Sequence, residues 1–260
     1  MKKHLSDKTF NLIFSVVSVA VMWLCWIVAY YVQANDYVIP SVGDTLSVLW
    51  RLLGESSFWK SFGNTLLRAV EAFAISFLLA AVCACLSALS RVFARILQPI
   101  VTVLRTVPTM AVIIIILLWT TPRIAPVIVG CLVTFPMVYA QMNAAFTGID
   151  KNLAEVAKVY NFTPSQKVFK MYLPLMLPNV LSQAGAAFSL TLKIIVSAEV
   201  MARTYVSIGG MMQEARNYLE IPELFALTIV TIIAGALAEI LLSLPVKLTD
   251  KWTKGKGGRA

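Results

Sequence analysis

Six apolar runs, each long enough to cross a bilayer, occupy most of this 260-residue chain: about Phe10–Ala34, Phe62–Leu89, Ile96–Trp119, Ile124–Phe146, Asn179–Ala202 and Glu223–Pro245. A spanning helix needs roughly 20 apolar residues, and lipid offers backbone amides no partner outside the helix. Hydrophobic residues make up 59% of the chain and charged ones 13%, with a mean hydropathy of +0.79. A soluble domain is about 45–50% apolar and about 25% charged, so neither a soluble core nor a disordered chain fits. The expected class is all-α: a polytopic membrane protein of six helices, one transmembrane domain over residues 1–260 with no room for a globular one. The first run is too long, and its Trp23–Gln33 end too bulky, for a cleaved signal peptide, so it reads as a retained helix. Pro99 and Pro108 interrupt the third run, leaving open a short interfacial segment followed by a span that starts near Thr106.

The net charge of +9 describes orientation rather than nucleic-acid binding, because no aromatic-interleaved basic stripe accompanies it. Lys2, Lys3, Lys8, Arg91, Arg95, Lys151, Lys158, Lys167, Lys170, Lys247, Lys251, Lys254, Lys256 and Arg259 fall on one side of the six spans. Arg51, Lys60, Arg68, Arg123, Arg203 and Arg216 fall on the other; Arg105 and Lys193 lie within spans. The richer side reads as the cytoplasm, with both termini inside. A thiol reagent applied outside is then expected to reach a cysteine at position 57 or 207, and not at 93 or 165. Cys25, Cys83, Cys85 and Cys131 all sit in apolar runs, and the single histidine is His4. Cys83 and Cys85 are two apart and point to different helix faces, so the chain carries no metal or redox pair. Zinc chemistry and a histidine triad are unexpected.

Residues 147–178 are polar yet patterned. Asp150 reads as a helix N-cap, followed by Leu153, Val156, Ala157 and Tyr160 at helical spacing, with Asn161 as a left-handed stop. Thr163-Pro164-Ser165-Gln166 opens a second helix, with Thr as N-cap, Pro at the first position and Gln completing a capping box. Two short amphipathic helices joined by a tight turn serve equally as a pair resting on lipid headgroups or as a docking knob for a cytoplasmic partner.

The run Glu155-Val156-Ala157, then Asn161, Met171, Leu173 and Pro174, resembles the EAA loop of ABC-importer permeases. That motif reads E-A-A, three residues, G, nine residues, I, one residue, L-P. Spacing agrees throughout; Glu155, Ala157, Leu173 and Pro174 match in identity, whereas Val156, Asn161 and Met171 depart. Asn for Gly is mild, since Asn also accepts a left-handed turn. Pro99 to Trp119, with Arg105 and Pro108, is similar to the third span of the nitrate/sulfonate/taurine branch. Ser197-Ala198-Glu199-Val200, Ile208-Gly209-Gly210 and Glu214–Leu219 resemble that branch's fifth span end and external loop. The likeness covers roughly residues 65–244.

The resemblance implies the type I permease fold and a transport subunit of the inner (plasma) membrane rather than an enzyme. No GxxxxGK[ST] loop occurs, so this chain binds no cofactor. ATP and Mg belong on two separate ATP-binding subunits that engage the loop. The other implied partners are a second permease copy, in a homodimer, and an external solute-binding protein. The solute of that branch is a small organic or inorganic anion or a vitamin precursor.

Charges inside spans are the second clue, each costing roughly 2.5–3.5 kcal/mol at mid-bilayer on insertion scales. Lys193 lies about 14 Å from the outer end of its helix, and Glu71 is at matching depth on an antiparallel one. These two are expected to pair, either to hold spans two and five together or to line the solute path. Glu199, with Arg68, is the neighbouring alternative partner, and Glu239 has no clear partner. Between spans five and six, Gly209-Gly210 permits a sharp turn and Met211–Leu219 a short amphipathic helix. The residues alone read as a surface turn; the resemblance implies an external gate carrying Gly209, Gly210, Arg216 and Asn217. An ion-coupled secondary transporter or channel is the competing function, yet it leaves the capped helix pair unexplained and has no inverted repeat. A membrane enzyme has no HExxH, GxSxG or carboxylate cluster to support it.

Overall fold

The computed structural model describes residues 7–33, 35, 37–147, 159, 160, 162, 163, 166 and 173–256, with nothing to report of the side chains at 7–13, 15, 147, 173–179 and 244–256. Helices in chain order are α1 (Asp7–Gln33), α2 (Val42–Leu53), α3 (Ser56–Leu89), α4 (Arg91–Thr106), α5 (Thr109–Trp119), α6 (Ala125–Thr147), α7 (Leu173–Ala202), α8 (Ile208–Asn217) and α9 (Ile221–Lys256). Among the described residues five helices, in α1, α3, α6, α7 and α9, are long and apolar enough to cross a membrane; the bent pair α4–α5 makes a sixth if taken as one span.

That pair decides the third run, which breaks where the sequence left it open, near Thr106. α4 and α5 meet at 98°, and the break lies at Val107-Pro108, both extended, while Pro99 stays inside α4. Proline has no N–H to donate and forces its predecessor out of the helical region. With 11 residues, α5 is about 17 Å long, roughly half a hydrocarbon core. α2 lies between the first two runs and is amphipathic rather than apolar. Its N-cap Ser41 accepts from the Asp44 N–H and donates to the Asp44 carboxylate. Arg51 then anchors it to α9 through Glu223 at 2.9 Å.

α7 is the hub, packed against α6, α9, α3, α8 and α5. Small residues set these approaches, as in other membrane bundles. A Cβ on Gly185 would stand 2.6 Å from the Glu239 carbonyl oxygen of α9, and one on Gly130 of α6 would stand 2.8 Å from Ile195 of α7. Hydroxyl pairs join the helices between these points: Thr134 to Thr191 and Ser87 to Tyr139, each at 2.9 Å. Leu192, Ile195 and Val196 fill the core between α3 and α9, and Ile194 and Ala198 face Ile113 of α5.

α1 stands apart. No residue of Val16–Gln33 is buried, and Trp26 links it to the bundle. That indole donates to the Pro40 carbonyl at 3.2 Å and sits 5.6 Å from the Phe225 ring. Cys25 is exposed and the other three cysteines are half-buried; each sits in an apolar helix as a small hydrophobe.

Candidate permeation site

At the end of the bundle where α8 lies, a buried ion pair ties three elements together. Glu199, fully buried, accepts from the Arg68 guanidinium of α3 at 2.7 Å on Oε1. Its Oε2 accepts from the Thr65 hydroxyl at 2.8 Å and from the Gly209 N–H at 3.2 Å. The Thr65 oxygen in turn accepts from the Ile208 N–H at 2.9 Å. The first N–H groups of α8 have no partner within their own helix, and here a carboxylate and a hydroxyl from two other helices supply them. Ser207 caps the same terminus by accepting from the Gly210 N–H at 2.9 Å.

The glycines there do a different job from the one expected. Gly209 and Gly210 are not the turn: neither has a positive φ, and both lie in the first turn of α8. The turn is made by Arg203 and Val206, at φ 50° and 49°, an uncommon region for a residue with a Cβ and a strained one for β-branched valine. Their cost is borne by surrounding bonds. The Thr204 hydroxyl donates to the Pro122 carbonyl at 2.7 Å, and the Asn64 amide donates to the Val206 carbonyl at 3.1 Å. Gly209 is required for closeness, because a Cβ would stand 2.7 Å from the Val196 oxygen and the Val200 nitrogen. Gly210 lines a cavity of about 640 Å³ together with Ser61, Arg203, Tyr205, Glu214 and Asn217. Asn217 accepts from the Gln213 amide at 3.3 Å, and Arg216 is exposed in the last turn of α8.

Lys193 and Glu71 do not pair. Among the described residues the ion pairs are Arg51–Glu55, Arg51–Glu223 and Arg68–Glu199. Lys193 and Glu199 are six residues apart, roughly 120° around a helix, so the face that offers Glu199 to α3 turns Lys193 away from it. Glu71 lines a cavity of about 200 Å³ between α3 and α6 with Asn64, Arg68 and Arg123. Equal depth located candidates for pairing; helix rotation, which depth does not report, selected Arg68.

α7 exposes a single stripe. Ser182, Gln183, Ala186, Lys193, Ser197 and Met201 are exposed along it, whereas Ile194, Ile195, Val196, Ala198 and Glu199 are buried around it. It shares polar exposure with α4, where Arg91, Arg95, Gln98, Thr102 and Arg105 are exposed, and differs from the mainly apolar exposed faces of α3 and α9. On α3 these carry Leu67, Ile75, Leu78 and Val82, and on α9 Ile232, Ile233, Leu237 and Ile240. Apolar faces suit lipid; a face with an ammonium and an amide suits water or protein.

Of the EAA-type residues, Glu155, Val156, Ala157, Asn161 and Met171 lie outside the described residues. Leu173 and Pro174 open α7. The capping box is formed: the Thr163 N–H donates to Gln166 Oε1 at 2.9 Å, and the Gln166 N–H donates to the Thr163 hydroxyl at 3.3 Å. Among the described residues no group of three His, Cys, Asp or Glu side chains could hold a metal.

Known proteins with this chain's features are transport proteins. Two bacterial relatives share the description "Putative aliphatic sulfonates transport permease protein SsuC". The one from Bacillus subtilis (strain 168) is 29% identical over 163 residues, covering 62% of this chain and 59% of its own length. The one from Escherichia coli (strain K12) is 26% identical over 216 residues, covering 83% of this chain and 82% of its own. Among solved structures, an amino acid ABC transporter with histidines superposes with a TM-score of 0.63 at 17% identity, over 74% of this chain and 93% of that one. The inward-facing MetNI methionine ABC transporter gives 0.64 at 17% identity, over 75% and 98%. They share the fold. The family described as "Binding-protein-dependent transport system inner membrane component" matches residues 76–255, more than half of the chain. The chain is therefore a multi-pass transport subunit rather than an enzyme, and it belongs to the family of binding-protein-dependent transport system inner membrane components, the permeases of ABC importers.

Proposed function

We propose that two copies of this chain enclose a membrane path for a small organic anion, such as an aliphatic sulfonate, which an external binding protein delivers. Two separate ATP-binding subunits, holding ATP and Mg, drive it from the cytoplasmic side; this chain holds no cofactor. The observation that carries the reading is the polar exposed stripe of α7, with Lys193 in it, beside α3 and α9, whose exposed faces are mainly apolar. A bilayer does not accommodate that stripe, whereas a second copy and an aqueous path do. The sulfonate class follows the two relatives, each described as a putative aliphatic sulfonates transport permease.

The 147–178 loop is the proposed coupling element. Its motif residues Glu155, Ala157, Leu173 and Pro174 seat in the ATPase and transmit its closure to α6 and α7. Glu155→Lys is expected to cut uptake at least tenfold while membrane insertion persists, and to weaken co-isolation of the ATPase subunit. Unchanged uptake and co-isolation would contradict docking, because a helix that merely rests on lipid tolerates an added lysine.

The proposed orientation places α8 outside and both termini in the cytoplasm. Position 207 is a poor reporter, since Ser207 is fully buried. Tyr205, at 89% exposed, replaces it. In intact cells an impermeant thiol reagent is expected to label Ser57→Cys and Tyr205→Cys, and to miss Arg95→Cys and Ser165→Cys. Labelling of the last pair from outside would invert the orientation.

A further inference from the structure

The path proposed above has one charge on its helical wall. Along the exposed stripe of α7, from Ser182 to Met201, Lys193 is the only ionisable side chain. It has no carboxylate partner among the described residues. Its neighbours one residue on either side, Leu192 and Ile194, are buried, so the backbone is held by packing on both flanks and the ammonium is presented outward. Ser197, one turn nearer the outer end, lies on the same stripe, its hydroxyl donating to the Lys193 carbonyl at 2.9 Å. Other ionisable residues in spans are exposed on different helices, among them Arg105 in the last turn of α4. Glu239 belongs to α9, and its backbone rests on Gly185, two turns farther in than Lys193. Glu71 faces the α3–α6 cavity beside Arg123.

An uncompensated ammonium about 14 Å inside the span is an expensive feature unless it meets water, a carboxylate on another chain or a negatively charged solute. We infer that Lys193 is the charge-selecting residue of the path: its positive potential favours anionic solutes and holds back cationic ones. This rests on the reading that the α7 stripe lines the path. A single ammonium suits the role because it attracts an anion as a mobile point charge without the bidentate grip of a guanidinium, so the solute can leave again. Buried against a carboxylate of the second copy, the same residue would form a neutral pair, and the parent ratio in the test below would not favour the anionic probe.

The test reads the potential directly at Ser197→Cys. The background replaces Cys25, Cys83, Cys85 and Cys131 with alanine, and the importer is assembled with its ATPase in lipid nanodiscs, where both bilayer faces meet the reagent. The probes are an anionic sulfonatoethyl and a cationic trimethylammonioethyl methanethiosulfonate, with rates normalised to a free thiol. Side chains four residues apart on a helix are about 6 Å apart, and at that distance one unit charge shifts the anion-to-cation rate ratio on the order of tenfold even in water. We expect the ratio to favour the anionic probe, to fall about tenfold in Lys193→Gln, and to be kept in Lys193→Arg. A ratio unchanged by Lys193→Gln, with both probes reacting, overturns the role of Lys193 and leaves the path reading standing. A cysteine at 197 that reacts with neither probe overturns the path reading, and this inference with it.

Discussion

Glu199→Leu is expected to cost the folded permease about 3–5 kcal/mol, because it removes one member of a buried ion pair and leaves the other uncompensated. Arg68 is 9% exposed and Glu199 is fully buried, so no water replaces the lost oxygen atoms. The substitution also strips the Gly209 N–H and the Thr65 hydroxyl of their acceptor, each a further desolvation cost. The measurement is the melting midpoint of the purified chain in detergent, with Glu199→Gln as a milder neighbour that keeps one acceptor. Arg68→Met together with Glu199→Leu is expected to melt well above Glu199→Leu, since removing both charges of a buried pair is far less costly than removing one. A single Glu199→Leu variant that melts with the parent would mean that the pair contributes nothing to holding α3, α7 and α8 together.

Gly209→Val is expected to cost about 3 kcal/mol, at the upper end of overpacking. A Cβ there meets Glu199 Cβ and stands 2.7 Å from two backbone atoms of α7. Backbone cannot rotate away as a side chain can, so α8 must lift from α7 and break the Gly209–Glu199 bond as it goes. Gly63 is the matched control. It is also helical, yet a Cβ on it meets nothing within 4 Å, so Gly63→Ala is expected to stabilise α3 by about 0.5–1 kcal/mol from helix propensity. Opposite signs at the two glycines distinguish crowding from a general sensitivity of the chain; equal signs would remove the crowding account.

These two results bear on how the α8 end of the permease works. α8 reads from sequence as a hinged gate on a glycine turn, and Gly209-Gly210 invites that view. The structure holds α8 by its N-terminus through Glu199, Thr65 and Ser207. A helix fastened this way moves with α3 and α7 as one body, in keeping with rigid-body switching.

Legibility followed the range of the forces involved. The existence of the spans, the capped loop at Thr163–Gln166 and the family all depend on local patterns: apolar length, cap chemistry and motif spacing. Hydrocarbon thickness and the hydrogen-bonding needs of a helix end act on neighbouring residues, so a linear reading reaches them. Partnership across the bundle is a different matter. The choice of Arg68 over Lys193 for Glu199 depends on how far α3 and α7 are rotated about their own axes, and rotation is set by close-packed contacts such as Gly185 on α9 and Ile195 on Gly130. The use of Gly209 for contact rather than for a turn depends likewise on which neighbours crowd it. Depth along a helix is written in the chain, at 1.5 Å per residue; which face of that helix meets which neighbour is decided only when all the helices pack at once.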